Sequence, residues 1–381
     1  MNIIPEHISL TKNTDNLYIL TNNITQTHIK VGELEIQFLS QIYTKEATKS
    51  DAFTDEQKQY LYENYKNLGF LSKEDSYNLI NKKQKNDLSR IYLLRKDPSN
   101  FFEKNEWLYK GKHIPWVLFL IGLTILVSCF IFAFNIRTWT SSVSLHNINI
   151  STFIIMYILI IFTLFIHECA HALSCYYFGG KVKEVGAMLM YMSMAFYCNV
   201  SSIYLFQKKS HRLIVLLAGI FSQLFLSAIA VIISYFAFLN GFKIDIILYY
   251  IAFNSISILF NLSPVIKLDG YWILVQLTNI TNLREKSFKY ILSYTRNKYR
   301  VYRNNLLKRE KRIFLTYGII GIIGTYLMWV YSVHYLNKIS HTYLGHWGIY
   351  IVVGWIILLI FHIIRKVKKY IGLLKNDIIH K

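Results

Sequence analysis

The chain has 381 residues, enough for two domains of ordinary size, and carries a formal net charge of +20. Roughly the first hundred residues are polar and charged, while the rest is dominated by long runs of Ile, Leu, Phe and Tyr, which excludes a wholly soluble globular protein. Basic charge beside apolar runs of spanning length points to anionic lipid headgroups as partners, and nucleic acid is not expected.

Residues 1–80 read as a small cytoplasmic α/β module. Leu17–Leu20 and Thr25–Val31 carry strand-forming residues and join through Asn22-Asn23, a hairpin signal. Glu33–Tyr43 reads as a helix with Leu34, Phe38 and Ile42 on one face. Asp55–Asn67 reads as a second helix with Leu61, Tyr65 and Leu68 inward, stopped by Gly69. No basic-then-apolar pattern opens the chain, so no cleaved signal peptide is expected. Residues 81–113 read as a basic juxtamembrane linker. Cys129, Cys169, Cys175 and Cys198 form no CxxC pair and lie in apolar segments, so they read as small buried hydrophobes.

Residues 114–381 read as a membrane domain. A spanning helix needs about 20 mostly apolar residues. Six segments qualify, at 115–135, 151–178, 213–239, 244–268, 313–336 and 347–364. Lys and Arg crowd the segments before the first span, at 207–212, at 281–312 and after the last span; the intervening loops hold one base each. This alternation predicts a multi-pass cell-membrane protein with both termini cytoplasmic. It also predicts that the 281–312 loop adheres to the inner leaflet. A further apolar stretch, 186–206, is flanked by bases on both sides, and spanning there would invert every later loop. It therefore reads as re-entrant. Met188, Met190, Met192 and Met194 alternate with other residues, a period of two that belongs to a strand. Such an element must be covered by protein or line a wet cavity.

The second span ends in Phe165-Ile166-His167-Glu168-Cys169-Ala170-His171, an HExxH pattern. Residues four apart share a helix face, so both imidazoles can reach one tetrahedral zinc. Glu168 stands beside them as the candidate base. Ionisable groups in a spanning segment are functional candidates by default. A catalytic zinc site needs a third protein ligand. The candidate is Asp269, in Asn261-Leu262-Ser263-Pro264-Val265-Ile266-Lys267-Leu268-Asp269-Gly270, where Pro264 breaks or kinks the fourth span, Asp269 closes it and Gly270 permits a tight turn. Counted from the outer ends of their spans, His167 lies roughly 24 Å deep and Asp269 roughly 37 Å or less, so the two fall toward the same side.

HExxH in one span with Asn-x-x-Pro and Leu-Asp-Gly in a later one resembles the site-2 protease family of membrane-embedded zinc metallopeptidases, over roughly 150–275. The resemblance implies a three-span zinc core with an embedded β element between the first two spans. It implies peptide-bond hydrolysis, zinc on His167, His171 and Asp269, and Glu168 as base. The family's second core span usually carries Gly-Pro and a downstream Asn; here it reads Ala218-Gly219-Ile220-Phe221-Ser222-Gln223. Gln223 is the candidate replacement for that Asn. With Asn261, Met190 and Met192 it makes up the expected substrate contacts.

The hairpin, the helices and the Asn67-Leu68-Gly69-Phe70-Leu71 run are similar to small winged-helix domains that bind leader peptides. In that case a substrate peptide can add a strand to the hairpin edge. The fold expected is thus a polytopic α-helical membrane protein of about six spans, with a re-entrant β-like element and an N-terminal winged-helix-like α/β domain. The function expected is cleavage of a membrane-associated peptide in maturation or export, beside a peptide-modifying or export partner. The rival readings are release of a signalling factor by intramembrane cleavage, or a non-proteolytic zinc-containing exporter or immunity protein.

Overall fold

A computed structural model describes residues 5–12, 18–25, 27–44, 53–85, 90–142, 149–190, 193–294, 303–304 and 306–379. The protein is mostly helical, with a small three-stranded antiparallel sheet at its N-terminus and six helices long and apolar enough to cross a membrane. It divides into two compact units, Met1–Ser263 with Leu268–Ile273, and Pro264–Lys267 with Leu274–Lys381.

The first unit opens with β1 (Ile8–Lys12), β2 (Tyr18–Asn22) and β3 (Thr27–Val31) in that order in the sheet. The predicted hairpin is β2–β3, and β1 is a strand that the sequence reading missed. Asn22 turns the hairpin from inside. Its Oδ1 accepts from the Ile24 and Thr25 N–H groups at 2.9 and 3.0 Å, and its Nδ2 donates to Gly69 O and Ser76 Oγ. Three helices follow: α1 (Glu33–Thr44), α2 (Asp55–Asn67) and α3 (Lys73–Lys85). Thr54 and Gln57 form a capping box at the start of α2, which satisfies two otherwise orphaned N–H donors. Its end is closed by Gly69 at φ 76° and a Phe70 N–H bond back to Tyr65 O. The core gathers Ile8, Leu20, Val31, Phe38, Leu39, Tyr65 and Phe70. Phe38 and Tyr65 point inward as expected. Leu34 and Leu68 do not; both are exposed, and Leu39 takes the inward place on α1.

The 81–113 segment holds more structure than a linker. β4 (Arg90–Lys96) pairs antiparallel with β5 (Val185–Met190), which pairs with β6 (Ser193–Cys198). The stretch with alternating Met residues is therefore a β-hairpin, followed by a 3-10 turn at Ser201–Leu205. β4 is fastened by Arg95, which lies 3.5 Å from Glu184, and by Tyr92, whose ring meets Tyr197 edge to face. In α4 (Ser99–Lys104), Phe102 stacks on Tyr176 with ring centroids 4.3 Å apart.

The spanning helices of this unit are α5 (Ile114–Ser142), α6 (Ile150–Tyr177), α7 (Lys209–Leu239) and α8 (Asp245–Leu262). Uninterrupted apolar sequence with few breakers accounts for all four. α7 packs on α5, α6 and α8 and is the central helix of the group. Near one end, Trp139, Met156, Val231, Leu248 and Tyr249 share a core. Near the other, Ala172, Cys175, Tyr176, Val215 and Leu216 share a second with Phe102 and Tyr109. Of the four free cysteines, only Cys175 is buried, and Cys129 faces outward from α5.

The fourth span stops at Leu262, earlier than expected, because Pro264 cannot continue the helix. Asp269 therefore opens a new helix, α9 (Asp269–Thr278), rather than closing the old one. Gly270 makes no turn. A Cβ there would run into the Leu262 carbonyl and reach 2.9 Å from Asn261 O, so its task is to let α9 touch the end of α8.

In the second unit, α10 (Leu283–Leu292), α11 (Lys308–Leu344) and α12 (Gly348–Ile379) pack on one another. Tyr317 Oη donates to Pro264 O at 3.1 Å, and Phe288 meets Tyr370. Within the basic 281–312 segment, Lys289 is buried and paired with Glu285 at 3.3 Å, so it is not among the bases that can reach lipid.

Candidate metal centre

α6 carries His167 and His171 on one face, both 4% exposed. The chain break after α8 swings Asp269 against them. The Asp269 Oδ2 lies 2.9 Å from His167 Nε2 and 3.3 Å from His171 Nε2, and the two Nε2 atoms are 3.1 Å apart. Among the described residues, this is the one His/Cys/Asp/Glu group whose ligand atoms converge in this way.

Hydrogen bonding decides what such a cluster needs. His171 Nδ1 lies 2.7 Å from Val215 O, which can only accept, so the proton sits on Nδ1 and the Nε2 lone pair faces the cluster. Asp269 Oδ2 is buried without a hydrogen-bond donor. Lone pairs thus converge on one point and require a cation or shared protons between them. A tetrahedron with ligand bonds of about 2.05 Å has edges of about 3.3 Å, close to the three separations seen. The donor set, two imidazoles and one carboxylate, suits zinc.

Room for the cluster comes from Gly219 on α7. A Cβ there would stand 2.5 Å from His167 Nε2 and 2.6 Å from His171 Nε2. Glu168, half-buried, sits beside both imidazoles and near the Cys198 backbone at the end of β6. The β5–β6 hairpin packs on α6 beside this carboxylate.

The expected substrate contacts divide. Gln223 is fully buried; its Oε1 accepts from Asn261 Nδ2 at 3.0 Å, and its Nε2 donates to Asn254 Oδ1 and Ser257 Oγ at 3.3 and 3.1 Å. Gln223 and Asn261 are thus bonded to each other, with Gln223 one helical turn along α7 from Gly219. Met190 ends β5, and Met192 lies outside the described residues. The Gly219 cradle and the Val215 carbonyl were not singled out from sequence. A glycine inside a spanning helix is a signal for the first; a backbone group used on a distant helix leaves none.

These features define a multi-pass membrane protein with a buried His-His-Asp cluster and an adjoining glutamate. Over 123 residues, 32% of the chain, the sequence is 31% identical to a Bacillus subtilis (strain 168) protein described as "Putative peptide zinc metalloprotease protein YydH". The match spans 47% of that relative's length. No family profile and no solved structure matches the chain.

Proposed function

We propose that the protein is a membrane-embedded zinc endopeptidase that cleaves a membrane-associated peptide, in peptide maturation or export. The convergence of His167, His171 and Asp269 lone pairs beside Glu168 carries this reading. The relative's description and the resemblance to site-2 proteases agree with it.

His167, His171 and Asp269 would hold the metal. When bound, zinc supplies Lewis acidity toward a peptide carbonyl and toward water. Val215 O fixes the tautomer and orientation of His171, as outer hydrogen bonds do for metal-ligating histidines. Glu168 takes a proton from the attacking water and passes it to the leaving amine. Burial among α6, α7 and the hairpin limits bulk water and strengthens these electrostatic contacts.

The N-terminal α/β domain fits recruitment of the peptide by strand addition, which favours maturation over release of a signalling factor. The alternation of basic loops supports cytoplasmic termini, and the remaining bases of 281–312 support contact with anionic lipid.

The test compares Glu168→Gln with Asp269→Ala for zinc content and peptide cleavage in detergent. Gln keeps the shape but cannot take the proton, so Glu168→Gln should retain zinc while cleavage falls by about 10²–10⁴-fold. Asp269→Ala removes a ligand, so zinc and activity should fall together. Zinc loss in the first variant, or full zinc and activity in the second, would show that the roles are misassigned.

A further inference from the structure

A cavity of about 350 Å³ lies among α6, α7 and α8, with Ile160, Leu164, Gln223, Phe253, Ser257 and Asn261 in its wall. Three of its contributing segments also carry part of the metal centre within about one helical turn, roughly 5.4 Å. Leu164 precedes His167 by three residues and Glu168 by four. Gln223 follows Gly219 by four, and Leu268, also in the wall, directly precedes Asp269. The cavity therefore adjoins the place where a scissile bond must lie.

The wall's chemistry narrows what can enter. Its polar groups are engaged with one another. Gln223 is held by Asn254, Ser257 and Asn261. Asn254 Nδ2 donates to Gln223 O and Ser227 Oγ at 2.9 and 2.8 Å. Thr163 Oγ1 and Tyr250 Oη meet at 2.8 Å. Among the described residues, no Asp, Glu, Lys or Arg lines the cavity. A charged or amide side chain entering it would lose water without gaining an equal partner, whereas an aliphatic or aromatic one would lose nothing. Ligand pockets run from about 300 to 1,000 Å³, so this one is at the small end, suited to part of a chain rather than a whole ligand.

We propose that this cavity is the specificity pocket of the enzyme and receives one bulky apolar side chain, of the Leu, Met or Phe class, from the residue flanking the scissile bond. This rests on the endopeptidase reading. Gln223 then acts as a wall, cross-linking α7 to α8, rather than as a contact to the substrate backbone. Burying such a side chain favours it over Ala by about 10–100-fold in binding.

The test uses two peptide hydroxamates that differ only in the side chain next to the hydroxamate, Ala in one and Phe in the other. Binding of each is measured by calorimetry on the zinc-loaded full chain in detergent. The wild type should bind the Phe compound at least tenfold more tightly. Leu164→Trp fills the pocket from the side of the histidines and should lower the Phe/Ala ratio below about twofold. Ile160→Phe fills it one turn farther along the same face of α6 and should act in the same direction if the first variant does not fold. A wild-type ratio near one, or a ratio that neither variant changes, overturns the proposal. A flat ratio with Glu168-dependent cleavage rejects the pocket alone. A tenfold ratio in a protein that cleaves nothing rejects the endopeptidase and leaves the pocket standing.

Discussion

Replacing Gly219 by Ala tests the cluster without touching a ligand. In an ordinary helix interior this change is favourable by about 0.8–1 kcal/mol, because Gly is the poorer helix former. Here the new Cβ would lie 2.5 Å from His167 Nε2 and 2.6 Å from His171 Nε2. Non-bonded heavy atoms settle at about 3.5–4.0 Å, so the imidazoles or α7 must retreat by about 1 Å. Zinc–ligand distances tolerate shifts of about 0.2 Å, so a displacement of that size is incompatible with both histidines binding together. Loss of one ligand's geometry should weaken zinc by at least the 10–100-fold typical of disturbing an outer partner, or about 1.4–2.7 kcal/mol. The assay is zinc affinity by chelator competition, with helix content followed by circular dichroism and thermal unfolding followed without metal. The expected result is a variant as helical as the wild type, and at least as stable without metal, that has lost zinc and cleavage. Wild-type zinc affinity in a folded Gly219→Ala protein would refute the argument that α7 shapes the site by backbone proximity.

Other outcomes follow from the same geometry. Single cysteines at Lys208 and Thr342 should label from opposite sides of the membrane, the first from the cytoplasm; labelling of both from outside would overturn the charge-based orientation. Asn22→Ala removes the acceptor of two backbone N–H groups and a donor to Ser76, and should cost about 2–3 kcal/mol in the N-terminal domain. Gln59→Ala, at an exposed position of α2, should stay within about 0.5 kcal/mol, so equal effects in urea unfolding would discount the buried role of Asn22. Burial holds the His28 imidazole below its ordinary range, with Lys183 adding to the effect, and burial with Lys73 does the same at His7. The unfolded chain takes up these protons near pH 6.5 and the folded domain only at lower pH. Stability should therefore be intact above about pH 6.5 and fall as the pH drops below it. His28→Gln should flatten part of that slope, measured as urea midpoints at pH 7.5 and 5.5.

The parts of this protein that were legible in sequence are those where covalent spacing alone sets the geometry. Residues four apart on a helix must share a face, so His167 and His171 were readable as a pair. Long apolar runs must be satisfied by helices in lipid, so the places of all six spans were readable, but not their ends: Pro264 cuts the fourth short, and the first, fifth and sixth helices run on past the expected 135, 336 and 364 to Ser142, Leu344 and Ile379. β4 was not readable. Its Ile91, Tyr92, Leu93 and Leu94 are all exposed and do not alternate, because a bulge between Tyr92 and Leu94 shifts the register. Its strand character comes from the edge of β5, which lies far along the chain. Leu34 and Leu68 misled for a related reason: a stripe drawn on an ideal helix cannot tell which of two neighbouring apolar positions the tertiary core will choose.

The position of Asp269 shows why a break in a membrane helix can be constructive. Had α8 continued through Pro264, its side chains would have kept their phase of about 100° per residue, tying the direction of residue 269 to the buried face that carries Tyr250 and Asn254. The break releases that constraint. Six non-helical residues, Ser263 to Leu268, let α9 restart against the end of α8, close enough that only glycine fits at position 270. Irregular backbone at such a depth is tolerated only where protein or a cavity surrounds it, and Leu268 does line the cavity. The carboxylate thus reaches the histidines from the first turn of a new helix. There the backbone N–H groups of α9 favour its negative charge, and its Oδ2 stays directed at the imidazoles. A continuous helix could have placed an Asp at the same depth, but its direction would have been dictated by the packing of α8 rather than by the site.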